Sequence, residues 1–270
     1  MRDRYTLDSN PAIMRQILTL IAVLAAFGTN IWANINPPQG LTIGEVSQQV
    51  FGDVLITPAD YAFAIWGLIY LGLISLAIYQ ALPAQKNDPI LHKIGYKLAI
   101  ASVAQIIWVF CFLNGQYAAS FIAMLCILLP LIGAYLALPF KTHISKWQKW
   151  LIRTPISLYL AWISVATIVN GASVLDFWQW NGWGISPSAW VIIMLLVASL
   201  IAHFVVLPRL DAAYGGVFVW AAVAIALKNS DQIIIAGTAI GLSIVLSILF
   251  LSFSFNTQGQ NDLERDRSNY

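Results

Sequence analysis

Residues 187–208 read PSAWVIIMLLVASLIAHFVVLP, a stretch without one Asp, Glu, Lys or Arg. A helix of this length rises about 33 Å, enough to cross the ~30 Å hydrocarbon core of a bilayer. Seven further apolar segments accompany it, at about 16–35, 60–82, 95–113, 117–139, 153–175, 213–227 and 232–253. The expected fold is therefore all-α, a polytopic integral membrane helical bundle of about eight transmembrane helices. Segment 213–227 is the shortest and opens with Tyr214-Gly215-Gly216, so it is expected to tilt little or to be partly re-entrant.

The basic residues orient this bundle. With the N-terminus in the cytoplasm, the inner side holds Arg2, Arg4, Arg15, Lys86, Lys93, Lys97, Lys141, Lys146, Lys149, Arg153, Arg209, Arg265 and Arg267, and the outer loops hold Lys228 alone. Cytoplasmic loops carry the Lys/Arg excess of membrane proteins, so the N-terminus and C-terminus are both expected in the cytoplasm, with the chain multi-pass in the cell membrane. Composition agrees: 59% of residues are apolar and 10% charged, against about 25% charged in soluble domains. The net charge of +2 is spread over several short loops, which points to anionic lipid headgroups and to no nucleic acid as partner. Cys111 and Cys126 fall in neighbouring spans at different depths, as small buried hydrophobes rather than a disulfide or metal pair.

Several kinds of chemistry have no seat here. The chain contains no P-loop, no His-Glu-x-x-His zinc helix, no Gly-x-Ser-x-Gly elbow and no paired carboxylates. No catalytic residue and no metal ligand is assigned, and the reading is of a protein that is not an enzyme. His203, near the inner end of its span, reads as an interfacial histidine close to Arg209 rather than as an iron ligand.

Polar and aromatic residues converge elsewhere. Side chains three or four apart share a helix face, which puts Trp66 with Tyr70 on span two, Gln105 with Trp108 and Phe112 on span three, and Tyr159, Trp162, Ala166 and Asn170 on span five, with Thr167 beside them. These stripes fall mostly in the outer half of the bilayer, joined by Asn30. Aromatic walls with a few hydrogen-bonding groups suit a flat apolar ligand with polar edges. The competing reading is structural, since Trp and Tyr populate interfacial belts and Asn, Gln and Thr bond neighbouring helices. Trp147, Trp150, Trp178, Trp180 and Trp183 fit the role of interface anchors. In the first outer loop Thr42 and Glu45 have capping-box spacing, predicting a short helix over about 43–51 that presents Ile43, Val46 and Val50 on one face, either as a lid over the bundle or resting at the membrane surface.

At these residues the chain resembles the TspO/MBR family, the tryptophan-rich sensory or translocator proteins. Span two reads Thr57-Pro58-Ala59-Asp60-Tyr61-Ala62-Phe63-Ala64-Ile65-Trp66-Gly67-Leu68-Ile69-Tyr70, similar to the family's Pro-Pro-x-Trp segment running into Val-Trp-x-x-Leu-Tyr, with Thr57 where the first proline is expected. Span five reads Tyr159-Leu160-Ala161-Trp162, then Ala166-Thr167 and Asn170, similar to the family's Tyr-Leu-x-Trp followed by Ala-Thr and Asn. The resemblance covers about residues 16–175. It implies a TspO-like five-helix membrane core over 1–180, followed by three additional transmembrane helices over 181–255 and a short polar cytoplasmic tail over 256–270.

It further implies a pocket lined by Trp66, Trp108, Trp162, Ala166 and Asn170 under the loop after the first helix, holding a small hydrophobic ligand. No cofactor is certain; a bound porphyrin or haem is what the resemblance suggests. Within that reading, Gln105, Thr167 and Asn170 orient the ligand's polar edges and Asp60 gates the mouth. The alternative is a membrane transporter or permease subunit for a small hydrophobic substrate. Gly237 and Gly241 have GxxxG spacing, which permits close packing within the bundle, the favoured reading, or a homodimer.

Overall fold

The computed structural model of the chain describes residues 10–140 and 145–268, with side chains over 11–140 and 145–254. Arg2, Arg4 and Lys141 of the inner-side charge pattern lie outside the described residues, as do the side chains of Arg265 and Arg267. Among the described residues every regular element is helical. The long helices are α1 (Asn10–Ile35), α3 (Ile65–Ala81), α4 (Pro89–Leu113), α5 (Tyr117–Leu136), α7 (Thr154–Phe177), α8 (Pro187–Arg209), α9 (Ala212–Lys228) and α10 (Ile233–Ser268). Between them lie two short helices, α2 (Ile43–Gln49) and the single turn α6 (Lys146–Gln148), which runs through a π-helical turn into α7. Among the described residues seven helices are long and apolar enough to cross a membrane. The eighth, α9, is a continuous helix of 17 residues with no re-entrant break, rising about 25 Å. The segment expected as a polar tail continues α10 as helical backbone through Ser268.

Polar residues set the helix boundaries. The Asp88 carboxylate accepts from the amides of Ile90 and Leu91 at the start of α4, with Pro89 in the first turn. Ser186 caps α8 in front of Pro187. Such caps satisfy amides that a helix start would otherwise leave unpaired. Between α4 and α5 the chain reverses at Gly115, whose φ of +73° lies in a region that disfavours residues bearing a Cβ.

Helices α1, α3, α4, α5 and α7 form the five-helix core: α4 packs on α1 and α5, α5 on α7, and α3 bridges α1 and α7. Helix α9 docks on α7, with α8 and α10 against its other sides. Buried side chains of both halves, Ile163 and Val174 with Val217, Phe218 and Ala222, belong to one continuous apolar cluster. Outward-facing Leu71, Ile78, Leu129, Leu136, Phe204 and Ile248 are well exposed, as expected of surfaces that meet lipid. Cys126 also faces outward, unlike the buried position expected for it, while Cys111 is half-buried. Gly237 and Gly241 have open space where a Cβ would stand, so the expected close packing of this GxxxG pair inside the bundle does not occur.

Helix α9 is pinned at both ends. At its start the buried Asp211 carboxylate accepts from the amides of Ala213 and Tyr214 through one oxygen, and from Tyr135 Oη (2.8 Å) and Ser157 Oγ (2.6 Å) through the other. Arg209 and Arg153 cover this junction, both stacked on Phe140, and Arg153 donates to the Arg209 carbonyl. At the far end Asn229 Nδ2 donates to the Leu55 carbonyl (2.9 Å) and Lys228 Nζ to that of Val54 (3.3 Å). Between these, Ala59 N donates to the Ala224 carbonyl and Trp220 Nε1 to that of Ala62. Helix α9 thus holds the chain that leads into α3.

The lid helix has the predicted capping box. Glu45 N donates to Thr42 Oγ1, and Glu45 Oε2 accepts from Thr42 N at 2.7 Å. Ile43, Val46 and Ser47 face inward, whereas Val50, expected on that face, is exposed. The helix ends before it, and Phe51 takes the buried place.

Both the junction and the lid are open to test. Replacing Asp211 by Ala removes the cap and strands two buried hydroxyls, which is expected to cost about 3 kcal/mol, read as a drop in the thermal midpoint of the purified protein larger than that of Tyr135→Phe. At the lid, the Thr42 amide and hydroxyl hold the Glu45 carboxyl below its ordinary pKa. A depressed carboxylate stabilises above its ordinary pKa and loses that contribution as pH falls through the lowered value. Hydrogen exchange, corrected for intrinsic rates, is expected to show residues 43–49 losing protection on acidification, with Glu45→Gln already less protected at neutral pH and flat across the same range.

Candidate functional site

Three helices deliver the aromatic site. The 3-10 turn Asp60–Ala64 brings Phe63 into line with Trp66 at the start of α3. On α4, Trp108 and Phe112 stack at 5.2 Å and 16°. On α7, Trp162 and Ala166 are one turn apart, as are Ala166 and Asn170. These residues meet beneath α2 around a cavity of about 40 Å³, lined by Trp66, Trp108, Trp162, Ala166 and Asn170 together with Ile43 and Ser47 from α2 and Pro58, Phe63, Phe112, Met124, Val165, Val169 and Ser173. Its walls are mainly apolar. Phe63 and Trp66 each meet Trp162 edge-on, with centroids at 6.0 and 6.5 Å, the tilted geometry that ring quadrupoles favour.

Five of the eight sequence-selected residues therefore share one cavity, and three do not. Tyr70 stacks behind Trp66 at 5.4 Å and donates to the Ala26 carbonyl, tying α3 to α1. Gln105 lies one layer deeper, where its Oε1 accepts from Tyr159 Oη (3.3 Å) and its buried Nε2 has no partner among the described residues. Thr167 donates to the Ile163 carbonyl and faces a separate crevice between α5, α7, α8 and α9. One residue along a helix turns the side chain by about 100°, so neighbours Ala166 and Thr167 look to different sides.

Asn170 lines the cavity and is also bonded within the bundle. Its Oδ1 accepts from Trp108 Nε1 (3.2 Å), its Nδ2 donates to Ser120 Oγ (3.1 Å), and Ser120 Oγ donates to the Tyr117 carbonyl (2.7 Å). This chain of bonds joins α4, α5 and α7 and fixes the Trp108 indole. Asn170 positions the aromatic wall through these bonds while lining the cavity.

The lid closes the site from one end. Gln48 Nε2 donates to the Pro58 carbonyl (2.9 Å), and Phe51 packs edge-on against Tyr117 at 4.7 Å. Asp60 lies directly beneath α2, where a Cβ on Gly44 would meet its Oδ1 at 2.5 Å. A side chain at position 44 would oblige the Asp60 carboxylate to turn aside. Asp60 thus sits at the rim but does not line the cavity.

The residues missed at the sequence level carried a readable signal in one case. Val165, Val169 and Ser173 extend the Trp162–Ala166–Asn170 stripe at helical spacing. Phe63 precedes α3 in a 3-10 turn, where the 3.6-residue period does not apply. His203, considered as an iron ligand, contacts the carbonyl of Ser199 on its own helix through Nδ1 at 2.7 Å.

A family model described as TSPO-like protein matches residues 16–252. No curated protein and no solved structure matches the chain. The match runs from α1 through most of the membrane-spanning part of α10, well past the segment 16–175 in which the resemblance is legible by eye. This multi-pass membrane chain therefore belongs to the TSPO-like protein family, and the match takes in its three C-terminal helices along with the five-helix core.

Proposed function

We propose that the chain is a membrane binding or sensory protein that holds a flat hydrophobic ligand between Trp66, Trp108 and Trp162 under the α2 lid, with a tetrapyrrole such as a porphyrin or haem as the first candidate. The observation that carries this reading is the convergence of three indoles and the lid helix on one apolar cavity. In the closed arrangement that cavity holds about 40 Å³, whereas small-molecule sites usually offer about 300–1,000 Å³. Binding therefore requires α2 to lift and the rings to part. The ring pairings given up are of the kind worth about 0.5–1.5 kcal/mol each, and a planar ligand restores them by stacking on the same indoles.

Gln105 supports a deeper insertion. Its unpaired Nε2 lies behind Tyr159, which meets Trp66 edge-on at 6.1 Å, and a ligand acceptor reaching that level satisfies an otherwise costly buried donor. The Lys/Arg distribution supports placing both termini in the cytoplasm, which puts the lid on the outer side.

Titration of the purified protein with protoporphyrin IX and with haemin, followed by tryptophan fluorescence, is expected to give saturable quenching in the micromolar range. The Trp66→Leu/Trp162→Leu variant is expected to bind about tenfold or more weakly. Quenching that is absent, or equal in the folded variant, overturns the reading.

A further inference from the structure

A second, larger cavity opens at the lid end, between the end of α7, the start of α8 and the loop after α2. It holds about 370 Å³ and is lined by Asp53, Asp176, Trp180, Asn181, Trp190 and Met194 among others. Unlike the cavity under the lid, it combines carboxylates with aromatic faces, and its volume falls in the range of small-molecule sites.

The aromatic wall is built, not incidental. Trp180 and Trp190 meet at 5.2 Å between centroids, and Trp183 packs against both at 5.3 and 6.1 Å. Trp190 Nε1 donates to the Gly182 carbonyl at 2.9 Å. A Cβ on Gly182, whose φ is +67°, would come within 3.3 Å of that same indole nitrogen, so glycine lets the loop close on the ring. Trp180, expected as an interface anchor, also lines this cavity.

Charge at this end is one-sided. Among the described residues, Glu45, Asp53, Asp60, Asp176 and Asp231 lie in the loops and helix ends of the lid side, against Lys228 as the one Lys or Arg. Lys228 donates to the Val54 carbonyl and lies within electrostatic reach of Asp53, whereas Asp176 makes no ion pair with a described Lys or Arg. A field of one sign concentrates ligands of the other, and a cation over indole faces gains further from the ring quadrupole.

We propose that this cavity binds an organic ammonium ion with an apolar body, its charge against Asp176 and its methyl or aryl groups against Trp180 and Trp190. The ammonium comes either from a soluble amine or from the headgroup of a choline lipid. The site is independent of the aromatic cavity under α2.

Calorimetric titration of the full chain in dodecyl maltoside with benzyltrimethylammonium tests it. The expected result is saturable binding, weakened about tenfold by Asp176→Asn and retained by Asp176→Glu, with neopentylbenzene, the uncharged isostere, failing to compete. The Trp66→Leu/Trp162→Leu variant is expected to bind as the parent does, so failure at one cavity does not stand for failure at the other. Adding phosphatidylcholine to the micelles separates the sources: a raised apparent Kd assigns the site to the lipid headgroup, an unchanged one to a soluble cation. No saturable heat, equal competition by the neutral isostere, or unchanged affinity in Asp176→Asn overturns the proposal.

Discussion

A carboxylate buried at the junction of two helix pairs sets the architecture. Asp211 is almost completely withdrawn from solvent, and a charge taken out of water is tolerable only where donors replace its hydration. Two amides of α9, the Tyr135 hydroxyl and the Ser157 hydroxyl supply them. Because those donors belong to α5, α7 and α9, the bundle satisfies Asp211 only when all three helices are assembled. The same requirement fixes where α9 begins, and a helix of 17 residues fixed at its start has its far end placed as well. That far end meets the 54–62 segment through Asn229, Lys228 and the Ala224 carbonyl. The Asp211 junction and the lid are thereby linked through one helix.

The aromatic site obeys the opposite physics. Its side chains are held by packing and by one short chain of hydrogen bonds ending on Trp108, with no charge among the lining residues. Dispersion and ring quadrupoles are individually weak and tolerant of rearrangement, while the Asp211 junction is not. Buried charge is thus satisfied at the end remote from the lid, while the aromatic cavity is walled by the weaker and more adaptable contacts.

Much of the fold was legible because lipid imposes simple rules. Length and apolarity found all eight long helices, including the short α9, and the Thr42–Glu45 spacing found the lid. The limits were equally physical. Hydropathy does not distinguish a helix facing lipid from one facing protein, so α9 read as one of three appended spans although it buries Val217, Phe218 and Ala222 in the common core. Within the site, helical spacing gave the aromatic stripes and the family resemblance singled out Trp66, Trp108, Trp162, Ala166 and Asn170, yet neither separated a residue that only lines the cavity from one that also steadies its neighbour. Asn170 and Gln105 look alike in a sequence. One is bonded on both sides, the other has an unpaired amide, and that difference depends on which residues of other helices stand opposite.

The anchoring of the lid loop also dictates how it can move. From Val54 onward the chain is bonded to α9, and Ala62 is held by Trp220, so motion of α2 cannot be passed into α3 without breaking several hydrogen bonds. On the other side of α2, Asn36 to Leu41 contains Pro37-Pro38 and Gly40 at φ +77° and is mostly exposed. Lifting the lid then amounts to rotating residues 42–50 between this segment and the turn at Gly52, where a Cβ would strike the Gln48 carbonyl at 2.5 Å. Such a rotation unpacks Ile43, Val46 and Phe51 and breaks the Gln48–Pro58 hydrogen bond. The lid lies at the acidic end of the molecule, near the cavity of Asp53, Trp180 and Trp190, which the first residues of the anchored segment also line. Val54 and Leu55, which line that cavity, are the same residues whose carbonyls α9 holds through Lys228 and Asn229.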